Sequence, residues 1–363
     1  MDGEFGSFIK VWVIAITCLC YCYYIASKIP KGFLRLLSII PVIYIFLILP
    51  LNLSSPSSCS ITCFLLVWLG TFKLLLFSFN QGPLVLSHPN IAHFISIASL
   101  PIELKQQHPP TQKTTTPEVE KPKWHMLLKV LLLTLILCVY SYKERLPPQF
   151  IIVLYCCHVY LSAEITFALC AVAVRTIFGC EIEPQFNKPY LCTSLQDFWG
   201  RRWNLTVTHI LRPTVYDPVR RISTQFVGPT CAKSAAMLTT FLVSGLMHEL
   251  IYYYVSRAPP TWEVTCYFVL HGVCTAAEVV VKKVMLRRGW RLPRAMSGPL
   301  VVAFVVITGR WLFFAQILRN GVNRKAIREY AVLLVFVKSK LPLHLLEHQI
   351  LSILMVRNLS LMQ

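Results

Sequence analysis

The sequence predicts an all-α protein that crosses a membrane several times, for two reasons. Of its 363 residues, 55% are hydrophobic and only 14% are charged. The apolar residues also fall in runs of about 20, which is the length of helix that spans a bilayer. Inside hydrocarbon, backbone N–H and C=O groups must bond within a helix or a closed barrel, and these runs lack the strand alternation of a barrel. We therefore expect every span to be a helix.

Eight runs have the length and hydropathy of a spanning helix, and a ninth run is poorer. The first run stays as an anchor, because it is longer than the apolar part of a signal peptide and Lys28 and Lys31 follow it rather than precede it. The sequence thus predicts one membrane-embedded domain over 1–363 with eight or nine helices. In chain order the runs are 8–27, 33–51, 59–79, 124–140, 150–174, 234–256, 262–281, 297–318 and 330–352.

Two polar segments separate these runs. Residues 103–123 are rich in Pro, Thr and Lys and carry no apolar periodicity, so we expect a disordered connector. Residues 180–230 interleave aromatic residues and prolines with polar groups, which is typical of an ordered loop at headgroup depth. This second segment contains "DFWGRRWN", from Asp197 to Asn204, an unusual cluster of two arginines and an asparagine among large aromatic residues.

The basic residues indicate how the chain is oriented. The net charge of +19 comes from loops beside the spans, where phospholipid headgroups are better partners than nucleic acid. If the loops alternate across the bilayer, one side carries 21 Lys and Arg and the other carries 7. The positive-inside rule then predicts a lumenal N-terminus, with 103–123 and 175–233 in the cytosol.

The cysteines and histidines do not predict a metal site. The 14 cysteines lie mostly inside apolar runs and form no Cys-x-x-Cys pair, so they resemble small hydrophobic residues. The run "HELIY" begins like the zinc-peptidase pattern H-E-x-x-H, but Tyr252 replaces the second histidine. The run "HLLEH" at 344–348 matches the inverted pattern, yet only 15 residues follow it to supply a third ligand.

The sixth run contains ionisable residues in the stretch "SGLMHELIYYY". Such groups are costly in lipid unless they face a protein interior or a polar cavity. On a helix Ser244, His248 and Tyr252 share one face, so two hydroxyl residues flank an imidazole, whereas Glu249 points about a hundred degrees away.

Two interpretations of His248 remain open. It is either a buried neutral imidazole with a structural hydrogen bond or a base in a buried reaction chamber. His158 and His271 are similar candidates with weaker surroundings. The small residue Gly245 and the preceding aromatic-basic loop favour the chamber.

Three stretches together resemble the plant wax synthases, a branch of the membrane-bound O-acyltransferase superfamily. They are the run at 181–220 that contains "DFWGRRWN", then "SGLMHELIYYY", then "FVLHGVCTAAEVVVKK" at 268–283. The resemblance implies transfer of a fatty acyl group from acyl-CoA to a long-chain alcohol, which gives a wax ester and CoA. It also implies that Asn204 and His248 form the catalytic pair, that acyl-CoA is a co-substrate, that no cofactor takes part, and that the protein lies in the endoplasmic reticulum.

The residue types suit that reaction. A neutral His248 can take the proton of the alcohol as it attacks the thioester, and Asn204 can either donate to the developing oxyanion or orient the imidazole. We expect substrate contacts from Arg201, Arg202, Trp199, Trp203, Ser244 and Tyr252. The two arginines suit CoA phosphates, although headgroup contact and topology explain them as well. The two tryptophans suit interfacial packing better than substrate contact.

Other functions also fit part of this pattern. A sterol or diacylglycerol hydroxyl could use the same base, so the acceptor stays open between these lipids and a long-chain alcohol. A lipid or ion transporter would explain the intramembrane His248 and Glu249, but it would not explain the aromatic-basic loop.

Overall fold

The regular structure of the described residues is helical, as the sequence predicts. The computed structural model describes residues 2–86, 90–101, 124–178, 183–289 and 293–330, and no strand occurs in these ranges. The connector expected at 103–123 and the "HLLEH" run lie outside them, as does the ninth expected span apart from its first residue.

Seven helical stretches are long and apolar enough to cross a membrane, so the chain is a multi-pass membrane protein. The span expected at 124–140 is a helix of 16 residues, Trp124–Val139, which is shorter than the roughly 20 residues that a bilayer requires. The number of spanning helices within the described residues is therefore seven, below the eight or nine expected. The seven stretches are Gly3–Lys28, Phe33–Asn52, Pro56–Ser78, Pro148–Ile177, Leu205–Ser256, Glu263–Arg287 and Arg294–Phe313.

Short helices occur between the long ones, and π-helical stretches continue several of them. The α-helices include α1 (Asp2–Tyr24), α2 (Phe33–Ile48), α3 (Pro56–Thr62), α4 (Thr71–Ser78), α5 (Pro83–Leu86), α6 (Ile91–Ser99), α7 (Trp124–Val139), α8 (Pro148–Phe178), α9 (Leu195–Arg201), α10 (Leu205–Leu211), α11 (Asp217–Ser256), α12 (Glu263–Arg287), α13 (Arg294–Thr308) and α14 (Ala315–Arg319). The π-helical stretches are Cys63–Gly70, Arg212–Tyr216 and Gly309–Phe313.

The N-terminal helices pack around the span Pro56–Ser78, which has the largest buried share of the seven. Leu19 of α1, Phe46 of α2, Phe77 of α4 and Phe94 of α6 are fully buried in one core. The rings of Phe77 and Phe94 meet edge to face with their centroids 5.5 Å apart, a favoured geometry for aromatic pairs.

A buried lysine fastens α6 to this core. Lys73 lies in α4, and its ammonium donates to the backbone carbonyl oxygens of Ile97 and Leu100 at 2.6 Å each. These carbonyls belong to the C-terminal end of α6, where a cation offsets the partial negative charge of the helix. The sequence predicts neither α6 nor this contact.

Helices α11 and α12 form the framework of the candidate site. The sequence predicts a span that begins at 234, but α11 begins at Asp217 and continues through a kink at Gly228, whose φ is 75°. Pro229 follows, and because proline lacks an N–H it is tolerated at the first position of the segment beyond the kink. Gly245 lets the two helices approach closely, since a Cβ there would lie 2.9 Å from Thr265 Cα.

Candidate active site

The "DFWGRRWN" stretch forms helix α9 and the turn into α10. Ser194 caps the start of α9 by accepting a hydrogen bond from the N–H of Asp197 at 3.0 Å. The carboxylate of Glu278, on α12, accepts from the N–H groups of Leu195 at 3.3 Å and Gln196 at 3.1 Å. Because these N–H groups have no partner within the helix, both carboxylate bonds tie the start of α9 to α12.

Arg202 serves the fold of this turn. Its Nε donates to Asp197 Oδ2 at 2.7 Å, and its Nη1 donates to the carbonyl oxygens of Asn187 at 3.2 Å and Lys188 at 3.3 Å. Burial alone raises the pKa of Asp197, but the Arg202 guanidinium and the Thr193 N–H outweigh that effect and hold the pKa below its ordinary value. Arg202 therefore already has a carboxylate partner.

Asn204 sits at the junction between the turn and α10. Its φ of 42° lies in the left-handed region, which asparagine tolerates better than most residues with a side chain. Its Oδ1 accepts from the N–H of Val207 at 3.4 Å and so caps the start of α10. Among the described residues, none accepts a hydrogen bond from its Nδ2 group.

His248 has a defined tautomer. Its Nδ1 lies 2.7 Å from the carbonyl oxygen of Ser244, one helical turn earlier. Because a carbonyl oxygen only accepts, Nδ1 carries the proton, and Nε2 of the neutral ring keeps a free lone pair. The ring stacks on Phe268 with centroids 4.3 Å apart and meets Trp68 edge to face at 5.0 Å. His248 Nδ1–H thus donates to the backbone carbonyl of Ser244 and not to its hydroxyl.

A cavity of about 380 Å³ brings several of the expected residues together. Five of the eight line it: His248, Asn204, Trp199, Trp203 and Ser244. The other three do not. Arg201 is exposed on α9, Arg202 is bonded as above, and the hydroxyl of Tyr252 donates to the carbonyl oxygen of Phe313 at 2.7 Å. The hydroxyl of Tyr252 is therefore engaged by the backbone of Phe313, and Tyr252 does not join Ser244 in the cavity lining.

Sequence reasoning missed several lining residues, including Trp68, Phe268 and Arg212. Trp68 lies in an apolar span whose sequence does not distinguish one face from another, and Phe268 is one of many aromatic residues. Arg212 did carry a signal, since it follows α10 closely in the same basic segment.

The two histidines compared with His248 above, His271 and His158, have different surroundings. His271 has both ring nitrogens engaged, Nδ1 with the indole Nε1 of Trp199 at 3.1 Å and Nε2 with Thr308 Oγ1 at 2.9 Å. The Nδ1 of His158 lies 3.2 Å from the hydroxyl of Tyr140. Neither lines the cavity, so His248 is the imidazole that faces it within the described part of the chain.

Metal ligands are not clustered in the part of the chain that the structure describes. No group of three His, Cys, Asp or Glu side chains lies close enough there to hold an ion, and the described cysteines are all free.

Comparison with known proteins identifies relatives along nearly the whole chain. A probable long-chain-alcohol O-fatty-acyltransferase 1 of Arabidopsis thaliana is 49% identical over 340 residues, which are 93% of this chain and 98% of the relative. A long-chain-alcohol O-fatty-acyltransferase of Simmondsia chinensis is 46% identical over 94% of this chain and 98% of its own length. An acyl-CoA–sterol O-acyltransferase 1 of Arabidopsis thaliana is 42% identical over 94% of this chain and 99% of its own length.

The family assignment agrees with these relatives. The model of the membrane bound O-acyl transferase family matches residues 182–270, which include α9, α10, α11 and His248. With 49% identity over 98% of the Arabidopsis relative, the chain belongs to the membrane bound O-acyl transferase family.

Proposed function

We propose that the protein is an acyl-CoA-dependent O-acyltransferase that transfers a fatty acyl group to the hydroxyl of a long-chain alcohol. The products are a wax ester and CoA. The observation that carries the proposal is the fixed tautomer of His248, whose Nε2 lone pair is available in a cavity that Asn204 also lines. Relatives at 49% and 46% identity carry the name of this activity.

The chemistry begins with the proton of the alcohol. As the hydroxyl oxygen attacks the thioester carbonyl carbon, Nε2 of His248 takes its proton, and positioned bases of this kind contribute roughly 10²–10⁴-fold to rate. The tetrahedral intermediate then collapses, the C–S bond breaks, and the departing thiolate receives the proton from the imidazolium. The imidazole returns to its starting tautomer, because the carbonyl of Ser244 keeps hold of Nδ1–H throughout.

Asn204 supplies a donor to the oxyanion of that intermediate. Its Oδ1 is occupied by the N–H of Val207, so the planar amide is held with Nδ2 on the opposite side. A preorganised donor is most effective where negative charge develops in a dry site. The direct partner of the His248 ring is Ser244, which supports the oxyanion role over the alternative that Asn204 orients the imidazole.

The anionic end of acyl-CoA needs cations at the cavity. Arg212 lines the cavity, its side chain is mostly exposed, and its contact with Asp217 is long, at 3.9 Å. Exposed pairs at that distance contribute little, so the guanidinium is available to phosphate groups. We assign the phosphate contact to Arg212, with Arg201 on the neighbouring α9 as a second cation, and a structural role to Arg202.

The cavity belongs to a larger proposed arrangement. We propose that eight or nine helices surround it as a reaction chamber, with α7 and the segment at 330–352 added to the seven long stretches. Trp199, Trp203 and Ser244 then contact the apolar substrates. The basic residues support a cytosolic entrance for acyl-CoA in the endoplasmic reticulum, with the N-terminus in the lumen.

A second acceptor class has its own support. The sterol acyltransferase relative is 42% identical, close to the values of the long-chain-alcohol enzymes, so overall similarity alone does not separate sterols from fatty alcohols. A base and an oxyanion donor serve any lipid hydroxyl, which also includes that of diacylglycerol.

The test offers the acceptors in parallel. Microsomes from a host that lacks endogenous ester synthesis receive labelled acyl-CoA with a fatty alcohol, a sterol or diacylglycerol, and membranes without the protein serve as the control. We expect wax ester as the main labelled product. Steryl ester or triacylglycerol as the main product would reassign the acceptor, and no ester from an intact, inserted protein would favour a transporter.

A further inference from the structure

A chain of hydrogen bonds lies behind the cavity wall and joins three helices. Trp199 of α9 bonds to His271 of α12 at 3.1 Å, and His271 bonds to Thr308 at the end of α13 at 2.9 Å. The hydroxyl of Thr308 donates in turn to the carbonyl oxygen of Phe304 at 2.7 Å. His271 is fully buried and Thr308 is nearly so.

The direction of every bond in this chain is determined. The indole N–H of Trp199 can only donate, so Nδ1 of His271 accepts and its Nε2 carries the proton. The Nε2–H group donates a hydrogen bond to the hydroxyl oxygen of Thr308. That hydroxyl donates in turn to the carbonyl oxygen of Phe304, which can only accept. His271 therefore holds the tautomer opposite to that of His248, and it has no lone pair left for a substrate.

Trp199, at one end of this series of hydrogen bonds, reaches the cavity. The indole ring lines it and packs on Phe268 with centroids 5.7 Å apart, and it meets Phe241 edge to face at 5.9 Å. Phe268 in turn stacks on the imidazole of His248 at 4.3 Å. Contacts thus run without a break from His271 through Trp199 and Phe268 to the proposed base.

We propose that His271 is a positioning residue for the ester-forming reaction. It accepts the indole N–H and so fixes the Trp199 ring in the cavity wall, where that ring holds Phe268 against His248. This inference rests on the proposed function, because the orientation that it protects is that of the base. The bond from Trp199 is the essential part, and the bond to Thr308 serves to set the tautomer.

Two conservative substitutions separate the two bonds. In His271→Asn the side-chain oxygen lies near the position of Nδ1 and still accepts from Trp199, but the amide is too short to reach Thr308. In His271→Gln the amide nitrogen lies near the position of Nε2 and still donates to Thr308, while the acceptor for Trp199 is lost. Both substitutions remove one ring and bury one amide, so a purely structural histidine would lose similar stability in both.

We expect His271→Asn to keep most of the wild-type kcat and His271→Gln to lose about tenfold, the scale of one lost hydrogen bond to a neutral group. The KM for acyl-CoA stays unchanged in both, because the proposed phosphate contact at Arg212 is separate. His158→Asn and His158→Gln are the matched controls, since His158 is half-buried beside Tyr140 and does not line the cavity. These controls should not differ in kcat. Equal kcat for the two His271 variants, at equal protein level, would overturn the proposal.

A double-mutant cycle measures the bond without relying on activity. Trp199→Phe removes the indole N–H, so His271→Gln should lower the thermal midpoint less in the Trp199→Phe background than it does in the wild-type protein. Additive effects would overturn the Trp199–His271 bond. A wild-type protein that forms no ester from any acceptor would instead count against the proposed function, and the thermal cycle would still report on the bond.

Discussion

Asn204 illustrates how one residue can carry a backbone role and a proposed chemical role together. Its left-handed φ and its cap on α10 belong to the fold, whereas its Nδ2 group is the proposed oxyanion donor. The substitution Asn204→Ala would remove the cap and the Nδ2 group together and would also strain the backbone. An alanine at a φ of 42° is strained, and the lost cap costs a further ~1 kcal/mol.

Asn204→Asp isolates the chemical role. Aspartate caps helices as well as asparagine and tolerates the left-handed region, but it has no amide N–H. We expect kcat to fall by about 10²–10³, as for removal of one oxyanion donor, while protein level and the KM for acyl-CoA stay near wild type. Asn204→Gly, which accepts the backbone angle but loses the cap, is the control for stability. An Asn204→Asp enzyme with wild-type kcat would exclude the oxyanion role.

At the same scale, the sequence predicts residue identities better than residue partners. His248 and Asn204 could be singled out because an imidazole in a lipid-spanning run and an asparagine among aromatic residues are unusual. The hydrogen bond to the Ser244 carbonyl, which sets the tautomer of His248, cannot be predicted from the sequence. Arg201 and Arg202 are adjacent residues of the same type, so the sequence does not distinguish them. The structure shows that Arg202 donates a hydrogen bond to Asp197.

At the scale of elements, the long helices follow from hydropathy and the irregular ones do not. Hydropathy predicts a span that begins at 234, yet α11 begins at Asp217 and passes through Gly228–Pro229 with a kink. Trp68 lies in the π-helical stretch Cys63–Gly70, whose residues are nearly all buried, so no polar face reveals its geometry. Short helices such as α6 are held by tertiary contacts, which local sequence does not encode.

The close contact between α11 and α12 makes a prediction for Gly245. An added Cβ would lie 2.9 Å from the backbone Cα of Thr265, which cannot rotate away, so Gly245→Ala must push the helices apart. We expect a loss of ~1–3 kcal/mol, seen as a lower thermal midpoint in detergent, together with reduced activity. Gly6→Ala in α1, where a Cβ meets nothing within 4 Å, is the matched control. Equal midpoints for the two variants would mean that the helices do not need this close approach.

At the scale of the whole molecule, the membrane class, the family and five of the lining residues were predictable, and the complete lining of the cavity was not. The thickness of hydrocarbon dictates the length of a span, so the all-helical multi-pass fold follows from composition, and the resemblance to the membrane-bound O-acyltransferases is confirmed. The cavity depends on residues from distant parts of the chain, from Trp68 to Thr275. Tertiary packing brings these residues together, and a single sequence does not reveal which distant residues will be in contact.

The orientation of the molecule is a prediction of its own, motivated by the 21 basic residues on one side and 7 on the other. An epitope inserted in 103–123 should be detected after selective permeabilisation of the plasma membrane. An epitope in 258–261, between α11 and α12, should be detected only after internal membranes are dissolved. The reverse pattern would contradict both the topology and the cytosolic entry of acyl-CoA.

The most direct test of the account is ester formation by His248→Gln membranes beside wild-type membranes at matched protein level. Glutamine keeps much of the volume and the hydrogen-bonding capacity of histidine, but at neutral pH it cannot take a proton. We predict that ester formation falls by about 10²–10⁴-fold while the protein remains inserted. Near-wild-type turnover by an inserted His248→Gln enzyme would contradict the assignment of His248 as the base.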